Sequence, residues 1–245
     1  MSLKKALGMG VATAALGMSL IGGGTFAAFT DTEDLQNSYA AGTLNLELKN
    51  LQGGTMGTNV FSSTLKNLKP GDSVSRTFKL VNAGTLSIKD VVLQATYPDK
   101  ASDNSPNYID GTNSANPNYN KLDAKYKGAA FNNTADEFAD QITVQVYGGD
   151  LPNANKLVWE GKLSLLKTLW TPDITEKTDN KSLPAIPLDD DGVTVKLTFN
   201  DKAGNKFQGD MLKQINFQFS ASQFSGKQFN DGDNIDNSNA TQTDK

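Results

Sequence analysis

Gln214-Ile-Asn-Phe-Gln-Phe-Ser-Ala-Ser222 alternates without a break, with Ile215, Phe217, Phe219 and Ala221 on one side and Asn216, Gln218 and Ser220 on the other. Successive side chains of a β-strand point to opposite faces, so this stretch reads as a strand with one buried and one solvated face. The same period recurs upstream. Val193–Phe199 turns Val193, Val195, Leu197 and Phe199 inward, and Ile142–Tyr147 does the same with Ile142, Val144 and Val146. Thr43–Leu48 sets Leu44, Leu46 and Leu48 against Asn45 and Glu47. Val74–Val81 directs Val74, Phe78 and Leu80 inward, and Leu86–Tyr97 forms a longer strand. Turn signals separate them. In Asn67-Leu-Lys-Pro-Gly-Asp72, Pro70 presets the corner and Gly71 supplies a left-handed position, and Asn82-Ala-Gly84 turns again. Short alternating strands with no βαβ pattern and no internal repeat predict an all-β chain with a few short helices. The expected form is an antiparallel, jelly-roll-like β-sandwich.

Two stretches are helical candidates. Thr134–Gln141 begins with Thr134 and carries Glu137 three residues on, the capping-box spacing, and Lys162–Trp170 is the second. Two others lack periodicity. Pro98–Asn133 holds eight asparagines in 36 residues, with Pro98, Pro106 and Pro117 among them, and reads as a long surface loop insertion. Thr171–Asp191, with Pro172, Pro184 and Pro187, is loop-like. Beyond Phe224 the chain is Gly, Asn, Asp, Ser and Thr with few apolar residues, so 226–245 is expected to be a disordered tail.

The N-terminus addresses the compartment. Lys4 and Lys5 precede an uncharged run from Ala6 to Thr30, and small residues at Thr25 and Ala27 fit a signal-peptidase cut between Ala27 and Ala28. The run is also long enough for an uncleaved anchor, but six glycines (Gly8, Gly10, Gly17, Gly22, Gly23 and Gly24) weaken a membrane helix. The organisation expected is therefore a signal peptide over 1–27, a single β-sandwich domain over 28–225 and the tail. Removal of 1–27 takes away two lysines and no acid, moving the net charge from −4 to −6. That sign disfavours nucleic acid and anionic membranes as partners, and it suits a secreted, soluble chain.

The chain has no histidine and no cysteine. A Ser-His-Asp triad, thiol catalysis, histidine-rich zinc sites and the His-Glu-x-x-His motif are thereby excluded. Ser63-Thr-Leu-Lys66 and Ser102-Asp-Asn104 imitate two motifs of penicillin-binding enzymes, yet Ser164-Leu-Leu-Lys167 fits the first equally well and Lys-Thr-Gly is missing. Asp189-Asp-Asp-Gly192 is a calcium-loop fragment, but Pro187 and Thr198 occupy positions where an EF-hand needs acids. No catalytic residue, cofactor or metal site is predicted.

Several stretches carry a resemblance. Lys4-Lys-Ala-Leu-Gly-Met-Gly-Val-Ala-Thr-Ala-Ala-Leu-Gly-Met18 leads to Gly22-Gly-Gly-Thr-Phe-Ala-Ala-Phe29. Ala40-Ala-Gly-Thr-Leu-Asn-Leu46, Leu68-Lys-Pro-Gly-Asp72, Gly84-Thr-Leu-Ser-Ile-Lys-Asp90 and Phe207-Gln-Gly-Asp210 follow in order. Together they resemble the TasA/camelysin family of secreted bacillus proteins, over most of the chain outside Pro98–Asn133. The resemblance implies a jelly-roll sandwich, export with trimming by a dedicated signal peptidase, and, for the TasA type, assembly into homopolymeric fibres of the biofilm matrix, with other matrix proteins as further partners. In such fibres the freed N-terminal segment of one subunit adds as a strand to the next. Camelysin itself is described as a surface metalloprotease, an activity that a chain without histidine does not match. A surface or spore-coat protein that never polymerises is the remaining alternative.

Ala28–Ala41 has the pattern such a donor segment would need. Phe29, Leu35 and Tyr39 all fall on odd positions, while Thr30, Thr32, Asp34, Gln36 and Ser38 fall on even ones. The odd face also carries Asp31 and Glu33. The same segment could equally pair within its own domain.

Overall fold

The computed structural model describes residues 41–51, 68–114, 116, 119–122, 124, 133–151, 154–175, 182–185, 191–226 and 236–239. Among these residues the strands are β1 (Leu46–Lys49), β2 (Ser73–Asn82), β3 (Ile88–Thr96), β4 (Tyr108–Ile109), β5 (Ile142–Asp150), β6 (Lys156–Lys162), β7 (Asp191–Phe199), β8 (Met211–Leu212) and β9 (Asn216–Gln223). Two short helices, α1 (Ala135–Ala139) and α2 (Leu163–Leu166), flank the β5–β6 hairpin. The chain is all-β in class, and every strand pair is antiparallel.

One sheet has five strands in the order β1-β2-β7-β5-β6, and β3 pairs with β9 in a second sheet. The alternation read from sequence sets what each strand buries. Phe78 and Leu80 of β2, Val144 and Val146 of β5, and Val193 and Val195 of β7 are fully buried. Val91, Leu93 and Ala95 of β3 close over them, also fully buried. Two contacts fix which strands face each other. The rings of Phe78 and Phe219 meet edge to face at 6.4 Å, which puts β9 over β2. A Cβ on Gly148 would lie 2.2 Å from the Ile174 carbonyl oxygen, which puts the 171–175 segment over β5.

That segment is more than a loop. Thr171 N–H donates to Leu93 O (2.8 Å) and Ile174 N–H to Val91 O (2.9 Å), while the Asp173 carboxylate accepts from Val91 N–H and the Thr171 hydroxyl from Leu93 N–H. These bonds cover the edge of β3 away from β9 without forming a regular strand. Further on, Leu183 bridges to Ile88 and is fully buried.

The expected turns are present. Gly71 has φ +91°, and the Asp72 carboxylate accepts from Lys69 N–H at 3.0 Å. Gly84 lies against the backbone of the 43–45 stretch, where an added Cβ would come 2.3 Å from Thr43 O. Buried Asn82 holds this corner by donating to Leu86 O and Leu183 O.

Several expectations need correction. Thr43–Asn45 is not part of β1: Thr43 O and Asn45 O accept from Thr85 and Ala83 N–H in the β2–β3 corner, so the ladder starts only at Leu46. The second helix shrinks to Leu163–Leu166. β6, β4 and β8 were not expected, because β6 is an edge strand with lysines at both ends and the other two are two residues long. The Pro98–Asn133 stretch is not wholly a surface loop, since Asn107, Asn116 and Leu122 are buried and β4 pairs with β8. Nor is all of 226–245 without structure. Ser87 N–H donates to Asn237 O and Ala185 N–H to Ser238 O, both at 2.8 Å, and the Ser87 hydroxyl donates to Ser238 O. Docking through backbone atoms leaves no apolar pattern to read. No helix among the described residues is long and apolar enough to cross a membrane.

Candidate assembly site

The two sheets do not match in width. The five-stranded sheet extends past β2 to β1, whereas the opposing sheet ends at β9, and no strand lies beyond β9 among the described residues. The order from one side to the other is therefore the 171–175 segment, β3 and β9, laid over β5, β7 and β2. Among the described residues, the position opposite β1 carries no strand.

Side-chain burial follows this asymmetry. In the β3–β9 ladder, Val91, Leu93 and Ala95 sit opposite Ala221, Phe219 and Phe217. The β3 members are fully buried, while their β9 partners are only half-buried. Leu46 and Leu48 of β1, opposite Asn82 and Leu80 of β2, are half-buried too. Arg76 shares their face, since it is two residues from Phe78 in β2 and opposite the fully buried Val195. Its guanidinium stands 5.4 Å from the Phe78 ring centre and donates to Asn50 Oδ1 at 2.8 Å, just past the end of β1. Leu46 and Leu48 of β1 and Phe217 and Phe219 of β9 are thus half-buried along one margin of the core, where β9 has no further strand beside it among the described residues. An uncovered sheet edge over apolar side chains is a template for another strand.

Among the described residues, β1 borders only part of β2. β1 covers only Lys79–Asn82, so Ser73–Phe78 has β7 on one side and no ladder on the other among the described residues.

A second polar cluster is structural. Asp210 accepts from Tyr108 Oη–H (2.8 Å), Gly111 N–H (2.7 Å) and Asn133 Nδ2–H (3.0 Å). Burial raises the Asp210 carboxyl above the ordinary carboxylate range, against the pull of these donors. Burial beside Asp210 likewise pushes the Tyr108 hydroxyl up. Asn107, fully buried, accepts from Gln214 N–H and donates to Gln214 O, so an amide side chain imitates a ladder rung at the start of β9. Asn116 donates to Gly209 O. The insertion is latched to the chain entering β9 by these side chains.

The residues singled out from sequence are distributed as follows. The cut residues Ala27 and Ala28 and the donor residues Phe29, Leu35 and Tyr39 lie outside the described residues, as do Ser63, Lys66, Asp189 and Asp190. Ser102-Asp-Asn104 is an exposed turn in which Asp103 accepts from Ser105 N–H at 3.0 Å. Ser164 donates to Asp140, and Lys167 pairs with Asp136 over the Tyr97 ring. These residues brace the two helices against each other. The half-buried margin beside β9 was not legible in the sequence, because it depends on which strands have neighbours.

Comparison with known proteins places the chain beside a family and a characterised relative. Residues 2–114 and 109–228 match the family described as camelysin metallo-endopeptidase. The major biofilm matrix component of Bacillus subtilis (strain 168) is 32% identical over 256 aligned positions, covering 92% of this chain and 90% of that relative. The family description implies a metal, and the residues present do not fit one. The chain has no histidine or cysteine, and no three acids among the described residues are grouped to hold an ion.

Proposed function

The chain belongs to the TasA/camelysin family, and on that premise we propose that it is a secreted structural protein of the biofilm matrix, assembling with copies of itself into extracellular fibres. Export ends with signal-peptidase cleavage between Ala27 and Ala28. The freed segment Ala28–Ala41 of one subunit adds as a strand beside β9 of the next, completing a jelly-roll sandwich. What supports this reading is the half-buried inner face of β9, beside which no strand lies among the described residues. A donor that presents Phe29, Leu35 and Tyr39 on one face has the period of a strand with one buried face. The contact is heterologous, donor on one side and acceptor on the other, so it repeats into a filament instead of closing into a dimer. The name carried by the relative from Bacillus subtilis supports the matrix setting.

A peptidase is the reading the family description favours. It lacks the ligand chemistry, so we assign no catalytic residue, metal or cofactor. Zinc-dependent hydrolysis of casein by the pure chain would reverse that assignment.

Deleting Phe29–Tyr39 from the chain that begins at Ala28 tests the donor role. The expected product is a folded monomer that forms no fibres on concentration. Fibres of normal appearance from the deleted chain would remove the donor segment from the mechanism.

A further inference from the structure

Seven large apolar side chains are exposed among the described residues, and three of them stand close together in the chain: Leu165, Leu169 and Trp170, at 47%, 51% and 41% exposure. Single exposed leucines are ordinary, whereas a cluster that includes a tryptophan marks a contact surface. The local fold dictates the cluster. Leu163 and Leu166 are the side chains that α2 buries, so Leu165 is left on its outer side. Leu169 N–H donates to Leu165 O at 3.0 Å, which continues the turn and sets Leu169 next to Leu165 along one side. Trp170 comes last before Thr171, which is buried and bonded to Leu93 of β3. The charges beside the cluster are paired within the chain. Lys162 meets Asp140 and Lys167 meets Asp136, each at 3.1 Å, and Ser164 donates to Asp140.

Resting on the fibre reading above, we propose that Leu165, Leu169 and Trp170 form a self-association patch, through which a subunit of one fibre meets the same patch on a subunit of a neighbouring fibre. Three observations select a second copy as the occupant. The first is charge. The chain carries a net charge of −4, so two copies repel each other at long range. A patch whose bordering charges are already paired is where like-charged copies can approach, and it gives a strongly charged partner nothing to hold. The second is size. Three half-exposed side chains offer a few hundred Å2, and two such patches fall well short of the total of about 1,200 Å2 that a stable interface buries. The contact is therefore too small to hold two free subunits, and it suits an array in which many weak contacts act at once. The third is position. Trp170 leads into the 171–175 segment, which covers the edge of β3 away from β9. Strand addition beside β9 works at the other margin of that sheet, so a growing fibre keeps the patch available along its length. The pairing is isologous, and it joins fibres side by side without competing with the head-to-tail contact that lengthens each one.

The test compares fibres of the chain beginning at Ala28 with those of a variant carrying Leu165→Gln, Leu169→Gln and Trp170→Gln together. Electron microscopy shows the fibres, and low-speed pelleting collects bundles while leaving single fibres in solution. Wild-type fibres should lie side by side. The variant should form single fibres of the same length, with the pelleted fraction lowered about tenfold. Wild-type bundles should persist in concentrated sodium chloride and thicken in ammonium sulfate, as apolar contacts do and ion pairs do not. Equal bundling in both chains, single wild-type fibres at every concentration, or bundles that sodium chloride dissolves each overturn the proposal. A variant that melts clearly lower than wild type would mean that the three side chains pack within their own chain, which also overturns it. If the wild-type chain forms no fibres, the fibre reading fails and the patch is read on the subunits. Light scattering in ammonium sulfate should then show attraction between wild-type subunits and none between variant ones, and equal scattering overturns the patch.

Discussion

Asparagine is where single residues carry most in this fold. Eight of them crowd Pro98–Asn133, and from composition they mark a polar loop. In place, Asn107 and Asn116 are buried and spend their amides on backbone groups of the chain that leads into β9. An amide side chain offers both a donor and an acceptor, so it can satisfy buried backbone where no strand reaches. Composition reports the residue type and not the partner, which is why the latch was illegible. Asp210 completes it at an electrostatic cost. Its carboxyl is raised by burial, so the fold favours the protonated form, and the stability it contributes is complete below the ordinary carboxylate pKa and lost as pH rises through the raised folded value. Asp210→Asn removes that titration. Denaturant melts should therefore show wild type gaining on Asp210→Asn as pH falls from neutrality towards about pH 4. A constant difference across that window would contradict the assignment.

At the scale of elements, regular alternation was legible and context was not. The inward sets of β5, β7 and β9 follow from period two alone, and the capping box of α1 follows from Thr134 and Glu137. Thr134 N–H donates to Glu137 Oε2 at 2.8 Å, and Glu137 N–H returns to the Thr134 hydroxyl at 3.2 Å. β6 escaped because its edge position lets charged residues stand where a central strand would need apolar ones. The 171–175 segment escaped because it pairs through two backbone bonds and two side chains, with no period at all. Helix α1 matters beyond its five residues, since Phe138 packs between Tyr108, Phe199 and Phe207, with ring centres 5.9–6.2 Å apart. Thr134→Ala should cost about 1 kcal/mol, the ordinary value of a lost N-cap, and lower the melting temperature without preventing assembly. A loss above about 3 kcal/mol would show that the cap holds the aromatic cluster as well as the helix.

For the molecule as a whole, the described residues form one sheet of five strands facing the two-stranded β3–β9 sheet. Natural sheets usually protect their margins with charge, proline or a covering loop. Among the described residues Phe217, Phe219, Leu46 and Leu48 beside β9 are half-buried, and the chain carries a period-two segment with three large apolar side chains at 28–41. Class and family were readable from strand pattern and from the order of short stretches along the chain. The half-buried margin beside β9 was not, because it depends on which strands lie next to one another and not on any one stretch of residues.

The most direct measurement is electron microscopy of the purified chain beginning at Ala28, beside one that carries extra residues ahead of Ala28. Donor-strand assembly predicts fibres from the first and none from the second. Monomers from both at high concentration would contradict self-assembly and leave a surface protein that does not polymerise.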